Sequence, residues 1–249
     1  MSGHSKWSSI KHKKGAADAK RGKLFTKLAT AITVAAREGG GDPAANPSLE
    51  TAIQKARDNS MPKANIERAI DRGTGEGADA VIVERVMFEG YGPGGAAVLV
   101  EALTDNRNRT SAEVRHAFSR HGGSLGEPGS VAWMFETNGV VVVDAGKYSE
   151  DDLMSAIDAG ASDVVEDEGK LRVLAEPSDL TAVKEAIAAD GIEIESVGLA
   201  TEPTNTVEVE EAEAGTLIKL LEAIEDQDDV NEVYANFDIP DEVLERLAG

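Results

Sequence analysis

The apolar residues of this 249-residue chain change their spacing near residue 80, and a fold of one secondary-structure class cannot accommodate both spacings. Upstream, Leu24, Leu28, Ile32 and Ala35 recur every three or four residues, and Phe25, Ala29 and Ala36 widen the stripe. Residues 14–39 therefore read as one amphipathic helix. The glycines at 39–41 and then Pro43 stop it. Asn46-Pro47 has the pattern of an N-cap followed by proline in the first turn, opening a helix that carries Leu49, Ile53 and Ala56. A third helix starts at Pro62, turns Ile66, Ala69 and Ile70 inward and closes on Gly73. "GTGEGAD" then reads as a linker.

Beyond Ala80 the period falls to two. "ERVMFEGYG" and "AAVLVEALTD" predict two strands around a glycine-rich turn. "TSAEVRHAFSRHGG" follows as a helix capped by Thr110 or Ser111, with Val114, Ala117 and Phe118 inward and Gly122 ending it. A second unit begins near Ser130. "VAWMFETNGVVVVD" reads as a hairpin turning at Asn138-Gly139, and "SEDDLMSAIDAGA" as a helix capped by Ser149. "DVVEDEGKLRVLAEP" is a further hairpin, "DLTAVKEAIAADG" a helix and "IEIESVGLATEP" a closing strand, an order close to the ferredoxin-like one. The tail adds a strand "NTVEVE", a helix "AGTLIKLLEAIEDQ" and a strand "VNEVYANFDI". Alone, those three elements bury too little of a sheet face, but added to the first strands and helix they complete one. The expected fold is α+β in three domains: helical residues 1–79, a discontinuous α/β domain of 80–129 with 203–249, and a ferredoxin-like α/β domain, 130–202, inserted in it.

Charge divides the chain differently. Its formal net charge is −21, yet residues 1–27 hold Lys6, Lys11, Lys13, Lys14, Lys20, Arg21, Lys23 and Lys27 against Asp18 alone. The first 27 residues thus carry +7 and the remainder −28. A cationic segment on an anionic protein is suited to phosphate neutralisation with counterion release. Lys20, Lys23 and Lys27 fall on one helical face, which aligns their charge. Further along, Arg107 and Arg109, with Arg115 and Arg120, form a locally positive stretch at a predicted helix start, a second phosphate candidate. "GYGPGG" supplies Tyr91, Gly92, Gly94 and Gly95 as an exposed loop that could approach another backbone closely. The plainer readings stay open beside these: a solvated tail, arginines paired with surplus carboxylates, and a simple turn.

Catalytic and cofactor chemistry find no footing. The chain has no cysteine, which excludes disulfides and thiolate metal sites. His116 and His121, five apart, do not share a helical face as a metal pair would. "GYGPGG" matches the dinucleotide fingerprint, but a strand follows it where that fingerprint needs a helix. No cofactor and no metal are expected. No apolar run approaches the ~20 residues of a membrane span. The leading residues lack a signal-peptide core, which predicts a cytoplasmic protein. The acidic runs "EVEEAEAG" and "EDQDDVNEV" read as surface that keeps the domains in solution and repels nucleic acid.

Three long stretches, "GHSKWSSIKHKKGAADAKRGKLFTKL", "MPKANIERAIDRGTG" and "FEGYGPGGAAVLVEALTDNRNRT", resemble the YebC/PmpR family, whose mitochondrial relatives include the translational activator of cytochrome c oxidase. The likeness runs through essentially the whole chain and implies a helical domain followed by two α/β domains. It also implies a non-enzymatic regulator of gene expression that binds nucleic acid. Two targets are implied: DNA, as a transcriptional regulator, or ribosomal RNA, as a ribosome-associated factor easing stalls at proline-rich stretches. Lys11, Lys13, Lys14, Lys20, Arg21 and Lys23 lie in the first family motif, and Tyr91, Gly92, Gly94, Gly95, Arg107 and Arg109 in the third. The alternative is a protein-interaction scaffold that uses its acidic α/β faces.

Overall fold

The computed structural model describes residues 18–75, 83–167 and 169–240, with 242, 243 and 246; of residues 18–20 it describes the backbone alone. The architecture is α+β: an N-terminal helical region followed by two four-stranded sheets with antiparallel pairing and a short parallel pair, β8 (Val207–Glu208) with β10 (Phe237–Asp238). By compactness the described residues form two units, 18–34 with 83–136 and 202–246, and 35–75 with 137–201.

In the first unit, β1 (Glu84–Tyr91) and β2 (Ala97–Thr104) form an antiparallel hairpin in register from Glu84↔Thr104 to Tyr91↔Ala97. Helix α4 (Arg107–Arg120) follows, then the short β3 (Ser124–Leu125), which pairs on the outer side of β1. The fourth strand, β9 (Val230–Ala235), comes from the far end of the chain and pairs antiparallel with β2, giving the order β3-β1-β2-β9. Helix α7 (Glu211–Glu225) joins α4 on one face of this sheet. Val86, Phe88, Val98 and Val100 of the sheet pack there against Phe118 of α4 and Leu217 and Leu221 of α7. Burying each large side chain contributes on the order of 2 kcal/mol before chain entropy is charged against it. On the opposite face Val131 packs with Ala97 and Leu99, flanked by Tyr91, Met134 and Phe135.

The linker that carries the chain to that opposite face is held by a carboxylate. Glu89 of β1 is 7% exposed and accepts backbone N–H groups from Gly129 (2.7 Å), Val131 (2.7 Å) and Ala132 (2.8 Å). Burial alone would raise its pKa; the three amide donors outweigh burial and hold it below the ordinary glutamate value.

In the second unit the sheet order is β5-β6-β4-β7. It is built from β4 (Phe135–Asp144), β5 (Ala161–Asp167), β6 (Lys170–Ala175) and β7 (Ile194–Pro203). With α5 (Met154–Asp158) and α6 (Leu180–Ala189) between strands, the sequence of elements is βαββαβ, the ferredoxin-like order. One strand fewer is present than the sequence pattern suggests, because residues 135–144 run straight through Asn138-Gly139 as a single strand. Gly139 is there for a close approach and not for a turn: a Cβ on it would lie 2.8 Å from Cβ of Leu180. Ser149 caps the segment before α5 through a capping box with Asp152, but the first turn is a 3-10 helix, Glu150–Leu153.

The helical residues of this unit follow their sequence signals closely. Helix α1 (Asp18–Gly39), of which residues 35–39 belong to this unit, runs into Asn46, which closes one helix and opens the next. Its Nδ2 donates to Ala35 O and Gly40 O, both at 2.8 Å, while its Oδ1 accepts from Leu49 N at the start of α2 (Pro47–Asp58). Helix α3 (Lys63–Gly73) buries Ile66 and Ala69.

Candidate nucleic-acid interface

Lys6, Lys11, Lys13 and Lys14, and the side chain of Lys20, lie outside the described residues. Of the remaining first-helix cations, Arg21 is exposed and sits over the Phe25 ring, 5.5 Å from its centroid. Exposed Lys23 and half-buried Lys27 turn toward the end of α7. The Lys23 ammonium donates to Asp226 O and pairs with Asp228 at 2.8 Å; the Lys27 ammonium donates to Glu225 O at 2.6 Å. Glu225 and Asp226 are the last residue and the C-cap of α7, so two lysines from α1 satisfy carbonyls that α7 leaves without intrahelical partners. The negative end of the helix dipole favours them there. Burial, and then the neighbouring Lys23 charge, push the Lys27 pKa down to about 8, against the pull of Asp226, Asp228 and Glu225. Leu24, expected in the apolar stripe, stays 37% exposed.

Arg109 is also engaged within the unit. Its Nη2 donates to Asp105 (2.9 Å) and Asp229 (2.7 Å). These bonds, that to Asp229 first, raise its pKa above the ordinary arginine value. Asp229 in turn accepts from Thr104 Oγ1 (2.9 Å) and Thr110 Oγ1 (2.6 Å). Burial would raise the Asp229 pKa, but the bonds from Thr110, Arg109 and Thr104 prevail and lower it. Thr110 is thus turned into the protein and does not cap α4; Asn106 does so, its Oδ1 accepting from Arg109 N at 3.1 Å. The acidic run near residue 228 is surface, with Asp226 and Asp228 exposed, and it also supplies the partners of Lys23 and Arg109. A cleft of about 220 Å³ lies among these groups, lined by Thr26, Lys27, Thr30, Asp105, Arg109 and Asp228. Its charges are mixed and largely satisfied from within.

Arg107, at the first position of α4, is exposed like Arg109 but has no ion-pair partner among the described residues. Arg115 and Arg120, further along the same helix, are equally exposed and unpaired among the described residues.

The glycine loop is packed rather than projecting. Gly92 is buried, and a Cβ on it would lie 2.7 Å from Leu217 Cδ1 of α7; at Gly94, where φ is +73°, a Cβ would lie 2.9 Å from Val209 Cγ1. Gly95 is exposed, also at positive φ. Tyr91, expected at the surface, is half-buried and donates its hydroxyl to Ser130 O at 3.0 Å. Glycine is needed here because α7 comes close to the turn, a cause that no local pattern contains.

Among the described residues no group of His, Asp or Glu side chains could hold a metal ion, and no helix is long and apolar enough to cross a membrane.

Comparison with known proteins gives concordant matches. Residues 5–76 match the family described as the TACO1/YebC protein N-terminal domain, and residues 83–237 the TACO1/YebC second and third domain. A probable transcriptional regulatory protein of Rubrobacter xylanophilus is 57% identical over 250 residues, covering 100% of both chains. A protein of the same name from Desulfatibacillum aliphaticivorans is 57% identical, covering 98% of this chain and 99% of that one. The crystal structure of a conserved hypothetical protein from Aquifex aeolicus is similar with a TM-score of 0.72 at 47% identity, covering 90% of this chain and 93% of that one.

Proposed function

This chain belongs to the TACO1/YebC family, and on that premise we propose that it is a nucleic-acid-binding regulator of gene expression, acting in the cytoplasm by binding and not by catalysis. The observation that carries this reading is the charge division: +7 over residues 1–27 against −28 over the rest. Such a molecule repels polyanions over most of its surface and meets them at one end. The names of the relatives, probable transcriptional regulatory proteins, agree with a regulatory role.

Because Lys23, Lys27 and Arg109 serve internal contacts, the phosphate-binding charge of this reading rests on the cations before them, Lys6, Lys11, Lys13, Lys14, Lys20 and Arg21, and on Arg107. Two targets fit: DNA during transcription, or ribosomal RNA, where the family likeness implies easing of stalls at proline-rich stretches. Co-sedimentation with ribosomes, set against a DNA pulldown from the same lysate, separates them. Replacing Lys11, Lys13 and Lys14 with glutamate should abolish association with the preferred nucleic acid and steepen no other defect. Unchanged association, or wild-type binding that does not weaken from low to moderate salt, refutes the reading.

A further inference from the structure

Two ammonium groups of α1 meet at the end of α7. Lys23 and Lys27 stand one helical turn apart and donate to consecutive carbonyls, Asp226 O and Glu225 O. Other lysines lie against carboxylates: Lys147 against Glu193 at 2.8 Å, Lys170 against Glu195 at 2.6 Å and Lys184 against Glu50 at 3.0 Å. Hydrogen bonds to those carboxylates hold Lys147 and Lys170 above the ordinary lysine pKa. Lys27 is placed the opposite way. Its Nζ hydrogen-bonds a neutral carbonyl, its side chain is half-buried, and a second ammonium stands beside it. Desolvation and a neighbouring cation are the two conditions that make a lysine amine nucleophilic near neutral pH. Asp226, Asp228 and Glu225 oppose them without prevailing, and the Lys27 pKa settles at about 8. The other charges at the site, Asp105 and Asp229, are bound by Arg109.

Lys27 also lines the cleft of about 220 Å³, to which Val83, Leu103 and Val230 give an apolar part. That volume is below the roughly 300 Å³ at which pockets for drug-sized ligands begin, so an occupant is small. The surrounding charge is negative: Asp105, Glu225, Asp226, Asp228 and Asp229 outnumber Lys23, Lys27 and Arg109, which disfavours anionic reagents such as acyl phosphates. We infer that Lys27 is a covalent site for small neutral aldehydes, which it holds as a Schiff base in this cleft. The step is redox-neutral. The Nζ lone pair attacks the carbonyl carbon and a C–N bond forms. The C–O bond of the carbinolamine then breaks, and its oxygen leaves as water with the two hydrogens the amine gives up. A proton taken up by the imine makes an iminium cation, which Asp226 and Asp228 favour. The alkyl part of the aldehyde goes to the apolar side of the cleft.

The test uses the full wild-type chain at pH 7.5 with acetaldehyde and sodium cyanoborohydride, which reduces the iminium to a stable ethylamine. Peptide mass spectrometry reads the occupancy of each lysine over time. At that pH an amine of pKa about 8 is about 24% neutral, against about 0.1% for an ordinary lysine. Lower basicity and half-burial take back part of that advantage, so Lys27 should be ethylated about tenfold faster than Lys147 and Lys170. In urea concentrated enough to unfold the chain the lead should vanish. Glyoxylate, an anionic aldehyde, should show no such lead on the folded protein. A Lys27 rate equal to or below those of Lys147 and Lys170 overturns the site. A lead that survives unfolding overturns the part played by the fold, and an equal lead with glyoxylate overturns the neutral class of reagent. The nucleic-acid reading is independent of each of these results.

Discussion

Replacing Glu89 with alanine should destabilise the first unit by about 3–5 kcal/mol. The figure follows from what its carboxylate holds. Three backbone N–H groups, of Gly129, Val131 and Ala132, point at it within 2.8 Å. The bond to Val131 is buried and the other two are partly so. An amide left without a partner costs about 1–3 kcal/mol, with the full amount where water cannot reach. That is a large share of a stability of about 5–15 kcal/mol. A direct reporter sits on the same segment: Trp133 follows Ala132 and donates its indole N–H to Ser130 O at 3.2 Å. The chain has two tryptophans, so Trp7→Phe leaves Trp133 as the only one. Urea unfolding followed by Trp133 fluorescence, with and without Glu89→Ala, reads the difference. The pH dependence follows from the lowered folded-state pKa. The contribution is fully present above the ordinary glutamate value of 4.5 and is lost as the pH falls through the lower folded value, so the two proteins should converge in acid. A difference below about 1 kcal/mol at neutral pH would refute the reasoning, because it would mean that water replaces the carboxylate at no cost.

Two other outcomes are expected. Lys27 is held at a folded pKa of about 8, below its unfolded value of 10.5, so its burial penalty is fully present below pH 8 and is relieved as the pH rises from there toward 10.5. Lys27→Met should therefore gain most relative to wild type near pH 7, by about 1–2 kcal/mol after allowing for its solvent-reached part; a stability gap that is the same at pH 7 and pH 10 contradicts this. Gly139→Ala should cost about 1–3 kcal/mol by forcing β4 away from Leu180. It should leave nucleic-acid affinity unchanged, and a thermal melt indistinguishable from wild type would restore the turn as the reason for that glycine.

Much of the fold is legible because its signals are local. The stripe Leu28, Ile32, Ala35 and Ala36 is buried as its spacing implies, and Asn46 caps α2 as Asn-Pro predicts. Where a distant partner overruled a local signal, the pattern misled. Asn138-Gly139 looks like a hairpin turn, but its glycine answers to Leu180, 41 positions on. Thr110 looks like a cap, but its hydroxyl answers to Asp229, 119 positions on.

Composition and order along the chain determine the helix-then-sheet architecture, the family and the split between a cationic front and an anionic body, since each depends on neighbouring residues or on simple counting. Which cations find a carboxylate or carbonyl partner within the fold is a different kind of fact. Lys23 meets Asp226 203 residues away and Arg109 meets Asp229 120 residues away, because β9 crosses the chain to pair with β2 and brings the end of α7 with it. Coulomb attraction acts through space, and a linear charge pattern cannot say which opposite charges folding will place within hydrogen-bonding reach. Only the tertiary structure gives Lys23, Lys27 and Arg109 partners within the unit and leaves Arg107, Arg115 and Arg120 exposed with no ion pair among the described residues.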